Sequence, residues 1–320
     1  MDTKVMPVLA LVVPCYNEAK ILPDTAESLK AKLLRLVNDG IISDLSRIWF
    51  VDDGSEDSTW DLIDQLSRND QIFVGIKLTR NYGHQFALYA GMMEANADVL
   101  ITLDADLQDD IAAIEDMLSS FQRGNEIVYG VRSNRESDTV FKRITARTHY
   151  QLLSILGVTS VRDHADFRLM SRRAVELLSH YREANLYLRG IVPLLGLPSD
   201  IVYYKRLARM AGETKYPFRK MLALSVSGLT SFSIVPLRLI SALGLSVFLV
   251  ALCLGLWALW ATFFDSATVP GWSSTVIPIY LLGGLQLLAI GVAGEYIGKI
   301  FLEAKKRPLY HVETRTGTSD

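Results

Sequence analysis

The chain has 320 residues, half of them hydrophobic, and a formal net charge of −2. This length supports a sizeable core, and the near-neutral charge argues against nucleic acid as a partner. The two cysteines, Cys15 and Cys253, are too few for a disulfide framework or a zinc site. The positive mean hydropathy indicates that part of the chain lies in a membrane.

Short apolar runs alternate with amphipathic segments over the first 215 residues. The runs VLALVV, IWFV, FVGIKL, VLITL and EIVYGV predict strands, whereas ILPDTAESLKAKLLRLV and IAAIEDMLSSFQRG have helical spacing. This alternation predicts an α/β domain over residues 1–215, with a mostly parallel, doubly wound sheet and helices on both faces. Ligands of such sheets bind beyond the carboxyl ends of the strands.

Polar clusters follow the predicted strands in the order PCYNE, DDGSEDST, TRNYGHQ, DADLQDD and GVRSNR. Asp52, Asp53, Asp104 and Asp106 are therefore expected to meet in one crevice, where unpaired carboxylates would repel one another. A divalent cation removes this repulsion. Hard oxygen ligands suit Mg²⁺ or Mn²⁺, and Mg²⁺ characteristically completes its shell with phosphate oxygens and water. The pattern predicts a site for a metal and a nucleotide diphosphate.

Several polar residues near these clusters have simpler explanations. Asp109 or Asp110 is expected to cap the following helix rather than bind a metal, and Asp57 or Ser58 to cap the helix beginning near Trp60. His84 is expected to make local hydrogen bonds, with contact to a diphosphate as the alternative.

Two uncharged stretches occupy the C-terminal part of the chain. Residues 239–264 include 26 positions without Asp, Glu, Lys or Arg, enough for a helix of about 39 Å across about 30 Å of hydrocarbon. We predict a hairpin of two transmembrane helices within 236–302, at about 238–264 and 273–298. Lysines and arginines flank the hairpin and are absent from its loop, which predicts an integral inner-membrane protein with both ends in the cytoplasm.

The segments that flank the predicted hairpin are expected at the membrane surface. Residues 216–235 are predicted to form an amphipathic interfacial helix, and residues 303–320 a basic cytoplasmic tail. Upstream, Arg209 and Lys215 lie in RMAGETK, where Gly212 permits a bend, so a binding loop is favoured there. For Arg219 and Lys220, contact with lipid headgroups is the favoured explanation.

Six motifs in order resemble the family 2 glycosyltransferases that load a sugar onto a polyisoprenyl phosphate. They are PCYNE, DDGSEDST, RNYGHQFAL, DADLQDD, ADFRLMSRR and RMAGETKY, followed by the two predicted spans and GEYIGKIFLEAKKRPLY. The pattern is most similar to the bacterial bactoprenol glucosyltransferases, and more distantly to dolichyl-phosphate mannosyltransferases. The resemblance implies a GT-A (Rossmann-like) fold and inverting transfer of glucose from UDP-glucose to undecaprenyl phosphate, for modification of a surface glycan.

The resemblance also assigns roles to single residues. It places Pro14, Tyr16 and Glu18 at the nucleoside, Asp52 and Asp53 at the base, and Arg80 in the nucleotide site. It assigns Asp104, Asp106 and Gln108 to the metal and diphosphate, and Arg132 and Arg143 to phosphates, the acceptor's included. Arg209 and Lys215 would belong to a mobile segment over the donor, with Arg209 also at the acceptor phosphate. The catalytic residues it implies are Asp106, Asp166 and Arg209.

Some assignments keep an alternative. Asp166 is favoured for positioning the acceptor or as a nominal base, over a structural partner of Arg168. Pro193–Gly196 stand where relatives tend to carry Trp-Val-Gly, so mannose or N-acetylglucosamine stays open as the sugar. A non-catalytic membrane scaffold is the alternative of another class. The absence of a QxxRW motif favours single transfer. The family and the glycines at 283, 284, 291 and 294 predict a homo-oligomer, with a tetramer as one candidate assembly.

Overall fold

The computed structural model describes residues 6–133, 164–205 and 272–317, with isolated residues and short runs between 237 and 253. The chain divides into two compact units. The first comprises residues 1–151, 159–215 and 307–320, and the second comprises residues 152–158 and 216–306.

An eight-stranded sheet forms the centre of the first unit. Its strands are β1 (Leu9–Cys15), β2 (Arg47–Asp52), β3 (Phe73–Leu78), β4 (Val99–Thr102), β5 (Ile127–Arg132), β6 (His164–Ser171), β7 (Ser199–Tyr204) and β8 (Val312–Thr316). Their spatial order is β7-β5-β6-β4-β1-β2-β3-β8. β6 and β8 run antiparallel to their neighbours, and the other strands share one direction. The predicted mostly parallel sheet is confirmed.

Helices connect most of the strands. They are α1 (Leu22–Asn38), α2 (Thr59–Asn69), α3 (His84–Glu94), α4 (Ala113–Gln122), α5 (Arg172–Leu178), α6 (Leu188–Ile191) and α7 (Trp272–Ala304), with a 3-10 helix at Val192–Leu195. In α1, Leu22, Leu29 and Leu36 recur on one face and are fully buried. Burying each leucine stabilises the fold by about 1.5–3 kcal/mol.

The central strands are mostly apolar because helices cover them. Every residue of β1 is buried. α3 lies close against β1 and β2 at Gly91, where an added Cβ would stand 2.4 Å from Val12 Cγ1 and 2.8 Å from Val51 Cγ2. Only glycine permits this approach of helix to sheet. The position of α3 matters for the site, because α3 begins at His84.

The edge strand β8 corrects the prediction of a basic tail over residues 303–320. α7 continues to Ala304, and Val312–Thr316 then pair with β3. Side chains reinforce the pairing: Lys77 binds Glu313 at 3.3 Å, and the hydroxyls of Ser67 and Thr316 are 2.8 Å apart. Residues 312–316 join the sheet because β3 would otherwise present an unpaired edge. The charged composition of residues 312–316 did not predict a strand.

The described part of the second unit is chiefly α7. Among the described residues, one segment is long and apolar enough to cross a membrane, and it is Leu285–Ala304 at the C-terminal end of α7. The second predicted span, 273–298, falls inside α7. The interfacial helix predicted for 216–235 and most of the first predicted span lie outside the described residues.

Candidate active site

The carboxyl ends of the parallel strands bring the predicted polar clusters to one edge of the sheet. β4, β1, β2 and β3 are adjacent and parallel, so the residues after each strand lie side by side. β6 runs the other way and therefore begins at the same edge. Because Thr102 of β4 pairs with Arg168 of β6, Asp166 comes to lie across from Asp104. The pairing of β4 with β6 thus brings the motifs DADLQDD and ADFRLMSRR together.

Asp104 carries a buried oxygen that has no hydrogen-bond partner among the described residues. This atom is Oδ1, and the Nε2 of His84 lies 3.5 Å from it. Burial raises the pKa of Asp104 to about 6, although the charge of His84 opposes the shift. A buried carboxylate oxygen without a donor is costly, so the position favours a cation as its partner.

The remaining residues of the predicted metal set lie in a tight turn after β4. Leu107 has a positive φ of 49°, which is unusual for a residue with a side chain. The turn lets Asp106 Oδ1 accept a hydrogen bond from the backbone N–H of Gln108 at 3.2 Å, and Gln108 is buried. Within the described ranges, no three or more His, Cys, Asp or Glu side chains group as metal ligands. Coordination by Asp104, Asp106 and Gln108 stays a prediction.

Asp166 is the centre of a cluster of donors. Arg168 Nη2 lies 2.6 Å from its Oδ1, and Arg189 contacts both oxygens, through Nε at 3.2 Å and Nη2 at 3.1 Å. Gln85 Nε2 donates to Oδ2 at 3.2 Å, and His84 Nε2 lies 3.5 Å from that atom. We name Asp166, Arg168, Arg189, Gln85 and His84 the Asp166 cluster.

The electrostatics of this cluster keep Asp166 ionised. Burial raises the pKa of its carboxyl, but the contact with His84 and the charges of Arg168 and Arg189 outweigh burial and hold the pKa well below its usual range. A carboxylate of such low basicity is a poor proton acceptor. The pairing with Arg168, predicted as the lesser alternative, is present. The arrangement suits a positioning role better than that of a base.

Asp52 and Asp53 are buried at the end of β2. Burial raises the pKa of both carboxyls. Asp53 accepts hydrogen bonds from the backbone N–H groups of Tyr82 at 2.7 Å and Gly83 at 2.9 Å, so it holds the loop that leads into α3. The backbone N–H of Ser55 lies 3.4 Å from both oxygens of Asp52. A role of either in recognising a base stays a prediction.

The other residues predicted at the nucleotide flank these acids. Pro14 is buried within β1, whereas Tyr16 just beyond the strand is 43% exposed. The backbone N–H of Glu18 donates to Thr59 Oγ1 at 2.9 Å. The guanidinium of Arg80 lies 4.1 Å above the ring of Tyr82. All four positions are at the carboxyl edge, as predicted, and their contacts with a nucleotide stay predictions.

A second buried cluster corrects the explanation of Asp109 as a helix cap. Tyr204 donates to Asp109 Oδ1 at 2.5 Å, and Arg132 Nη2 contacts the same oxygen at 3.2 Å. Asp109 is almost fully buried and therefore serves as the counter-charge of Arg132. Asp110 instead accepts from the backbone N–H of Ala112, before α4. Asp57 Oδ1 accepts from the backbone N–H of Thr59, the first residue of α2, whereas Ser58, the residue at the N-cap position, makes no side-chain capping hydrogen bond.

Three predicted site residues lie outside the described residues: Arg143, Arg209 and Lys215. Conversely, no sequence pattern predicts a role for Arg189, Gln85 or Tyr204. Arg168 could be paired with Asp166 because residues two apart on a strand share a face. No comparable signal links Arg189 to Asp166, because the contact depends on how α6 packs.

Comparison with known proteins agrees with this architecture. The family model described as "Glycosyl transferase family 2" matches residues 10–178 of the chain. The chain belongs to glycosyltransferase family 2. The resemblance inferred from the motifs is thereby confirmed, and so is the assignment of the chain as a glycosyltransferase with a Rossmann-like GT-A fold.

Individual relatives of this family 2 member match along nearly its full length. The uncharacterized glycosyltransferase YkoT of Bacillus subtilis is 47% identical over 309 residues, covering 96% of this chain and 91% of YkoT. The bactoprenol glucosyl transferase of Shigella phage SfX is 37% identical, covering 96% of this chain and 99% of its own. Among solved structures, glucosyl-3-phosphoglycerate synthase from Mycobacterium tuberculosis, in complex with Mn²⁺, UDP and phosphoglyceric acid, has a TM-score of 0.44 at 17% identity, covering 69% of this chain and 75% of its own.

Proposed function

We propose that this glycosyltransferase transfers glucose from UDP-glucose to undecaprenyl phosphate, with inversion, on the cytoplasmic leaflet. The bactoprenol glucosyl transferase names of relatives that match nearly the whole chain support the lipid acceptor and the sugar. The structural observation that carries the proposal is Asp104 Oδ1, buried without a hydrogen-bond donor beside the positively charged Asp166 cluster. This edge suits two anions held side by side.

Asp104, Asp106 and Gln108 would hold Mg²⁺ or Mn²⁺. The residues fit such an ion, because their side-chain oxygens are hard ligands and one of them, Asp104 Oδ1, has no hydrogen-bond partner. When bound, the ion would supply positive charge that stabilises the leaving diphosphate.

The acceptor supplies its own nucleophile. A phosphate monoester has a second pKa near 6 and is largely a dianion at neutral pH, so its oxygen can attack the anomeric carbon from the face opposite the diphosphate. A strong base is unnecessary, which agrees with the depressed pKa of Asp166. The protein must instead hold two anions close together. Arg132, Arg143, Arg209 and Lys215 would contribute cationic groups for this purpose.

The position of β8 supports a membrane hairpin. Residues before and after α7 belong to the same sheet, because β8 pairs with β3. If α7 crosses the bilayer, the chain must therefore cross it once more between 205 and 272 in order to return to the same side. The uncharged stretch 239–264 is the segment suited to that crossing. This argument supports a two-helix hairpin with both ends on one side of the membrane, and the lysines and arginines that flank the hairpin favour the cytoplasm as that side.

Transfer by the purified full-length protein to undecaprenyl phosphate tests the proposal. The donors to compare are UDP-glucose, UDP-N-acetylglucosamine, UDP-galactose and GDP-mannose, each with Mg²⁺ or Mn²⁺. We expect glycolipid from UDP-glucose. Asp104→Asn should lower kcat roughly a hundredfold or more, since it weakens the charge that stabilises the leaving group.

Asp110→Asn is the matched control, because Asp110 lies in the same motif but hydrogen-bonds the turn before α4. It should keep near-normal turnover. Product from a different donor would replace glucose in the proposal. Absence of product from every donor, with UDP binding intact, would favour the non-catalytic scaffold.

A further inference from the structure

We infer that Arg189 binds the phosphate of the lipid acceptor and that Asp166 positions the guanidinium of Arg189 for this contact. The inference rests on the proposed function and adds a binding group to it. Arg189 lies on α6, and its guanidinium contacts both oxygens of Asp166. This places it at the carboxyl edge, where Asp104 also lies.

The two arginines that share Asp166 differ in exposure. The side chain of Arg168 is 1% exposed, whereas that of Arg189 is 39% exposed. Arg168 therefore serves as the internal counter-charge of Asp166. Arg189 reaches the same carboxylate from the solvent side, where an incoming ligand can contact it.

The charge of the cluster favours an anion. Two guanidinium groups share one carboxylate, so Asp166, Arg168 and Arg189 together carry one excess positive charge. A guanidinium presents several N–H donors in a planar fork that matches a phosphate. A phosphate monoester can therefore bind Arg189 while its contact with Asp166 persists.

The order of side chains separates the acceptor from the donor. Asp166 stands between Arg189 and His84, and His84 Nε2 lies 3.5 Å from both Asp166 and Asp104. Arg189 is therefore beside the DADLQDD acids but does not belong to them. With the donor's diphosphate at Asp104, a phosphate at Arg189 would lie beside the donor, as transfer between the two requires.

Hydrogen bonds hold Arg189 in place before any ligand arrives. Besides the two contacts with Asp166, the backbone N–H of Leu188 donates to Gln85 Oε1 at 3.2 Å, and Gln85 also donates to Asp166. The start of α6 is thus fastened to α3. Fixing the guanidinium in advance lowers the entropy lost on binding.

Calorimetric binding of farnesyl phosphate to the full-length protein tests this inference without requiring turnover. Arg189→Gln should weaken binding about tenfold to a hundredfold, the value of a charged hydrogen bond, and should leave UDP binding unchanged. In assays of transfer, the same variant should raise the KM for undecaprenyl phosphate and not the KM for the donor. Arg173→Gln is the matched control, because Arg173 is 68% exposed and binds Glu126 on the surface.

Arg189→Lys keeps a positive charge beside Asp166 and serves if Arg189→Gln does not fold. Lysine lacks the planar fork, so farnesyl phosphate should bind roughly three- to tenfold more weakly. Wild-type affinity for farnesyl phosphate in both variants would overturn the inference, as would an equal loss of UDP affinity. A third outcome separates the two proposals. If the wild-type protein binds farnesyl phosphate in a way that depends on Arg189 but makes no glycolipid, the proposed function alone is refuted.

Discussion

At the scale of single residues, Asp166 shares one buried carboxylate between two guanidinium groups. Asp166→Asn would leave Arg168, which is 1% exposed, without its counter-charge. Breaking a buried ion pair in this way costs about 3 kcal/mol. We expect Asp166→Asn to lower the free energy of unfolding at pH 7 by roughly that amount, measured by urea titration.

The pH dependence of stability should change in the same variant. The folded-state pKa of Asp166 is depressed, so its contribution is fully present above the unfolded pKa of about 4 and is lost as pH falls toward the folded value. Wild type should therefore lose more stability than Asp166→Asn below about pH 4. Asp39→Asn is the control, because exposed Asp39 pairs with exposed Arg35 at the surface and should change stability by less than about 1 kcal/mol. Parallel pH profiles of wild type and Asp166→Asn would contradict the assigned ion pair.

At the scale of secondary-structure elements, the attachment of β8 depends on the residue that follows it. Gly317 has a φ of +76°, and an added Cβ would stand 2.3 Å from the backbone oxygen of Phe73. Gly124 has a φ of +98° with no atom within 4 Å of its added Cβ. Gly124→Ala should cost about 1 kcal/mol of conformational strain, and Gly317→Ala about 3 kcal/mol because strain and clash combine.

Hydrogen exchange locates the effect of these substitutions. Gly317→Ala should speed amide exchange in β8 and in the facing part of β3, whereas Gly124→Ala should leave both protected. Equal losses of stability in the two variants would show that the contact between Gly317 and Phe73 contributes nothing.

The elements that could be predicted from sequence were those with continuous apolar runs. β1 to β5 are of this kind, because helices cover the central sheet. β7 alternates between exposed and buried positions, and β8 carries mostly exposed residues, so neither has the continuously buried apolar run of the central strands. The acids after β2 and β4 were predicted to meet because parallel strands end at one edge. Arg189 and Tyr204 were missed because their partners are set by packing between distant segments, which no local pattern records.

At the scale of the whole molecule, the sheet determines which parts of the chain would share one side of a membrane that α7 crossed. β8 follows α7 and pairs with β3, so the catalytic unit and the residues after α7 must lie on the same side. This can be measured with single cysteines introduced into a Cys15→Ala, Cys253→Ala background and labelled by a membrane-impermeant maleimide. Suitable positions are Leu45 in the first unit, Thr268 between the predicted spans, and Arg307 after α7.

Leu45→Cys and Arg307→Cys should react in inverted vesicles and be protected in spheroplasts. Thr268→Cys should show the reverse, because a hairpin places its loop in the opposite compartment. Labelling of Leu45→Cys and Arg307→Cys from opposite sides would contradict the pairing of β8 with β3. Labelling of all three from the cytoplasmic side would instead mean that neither apolar segment crosses the membrane. The chain would then lie on the membrane surface, and the carboxyl edge of the sheet would bind the lipid acceptor from there.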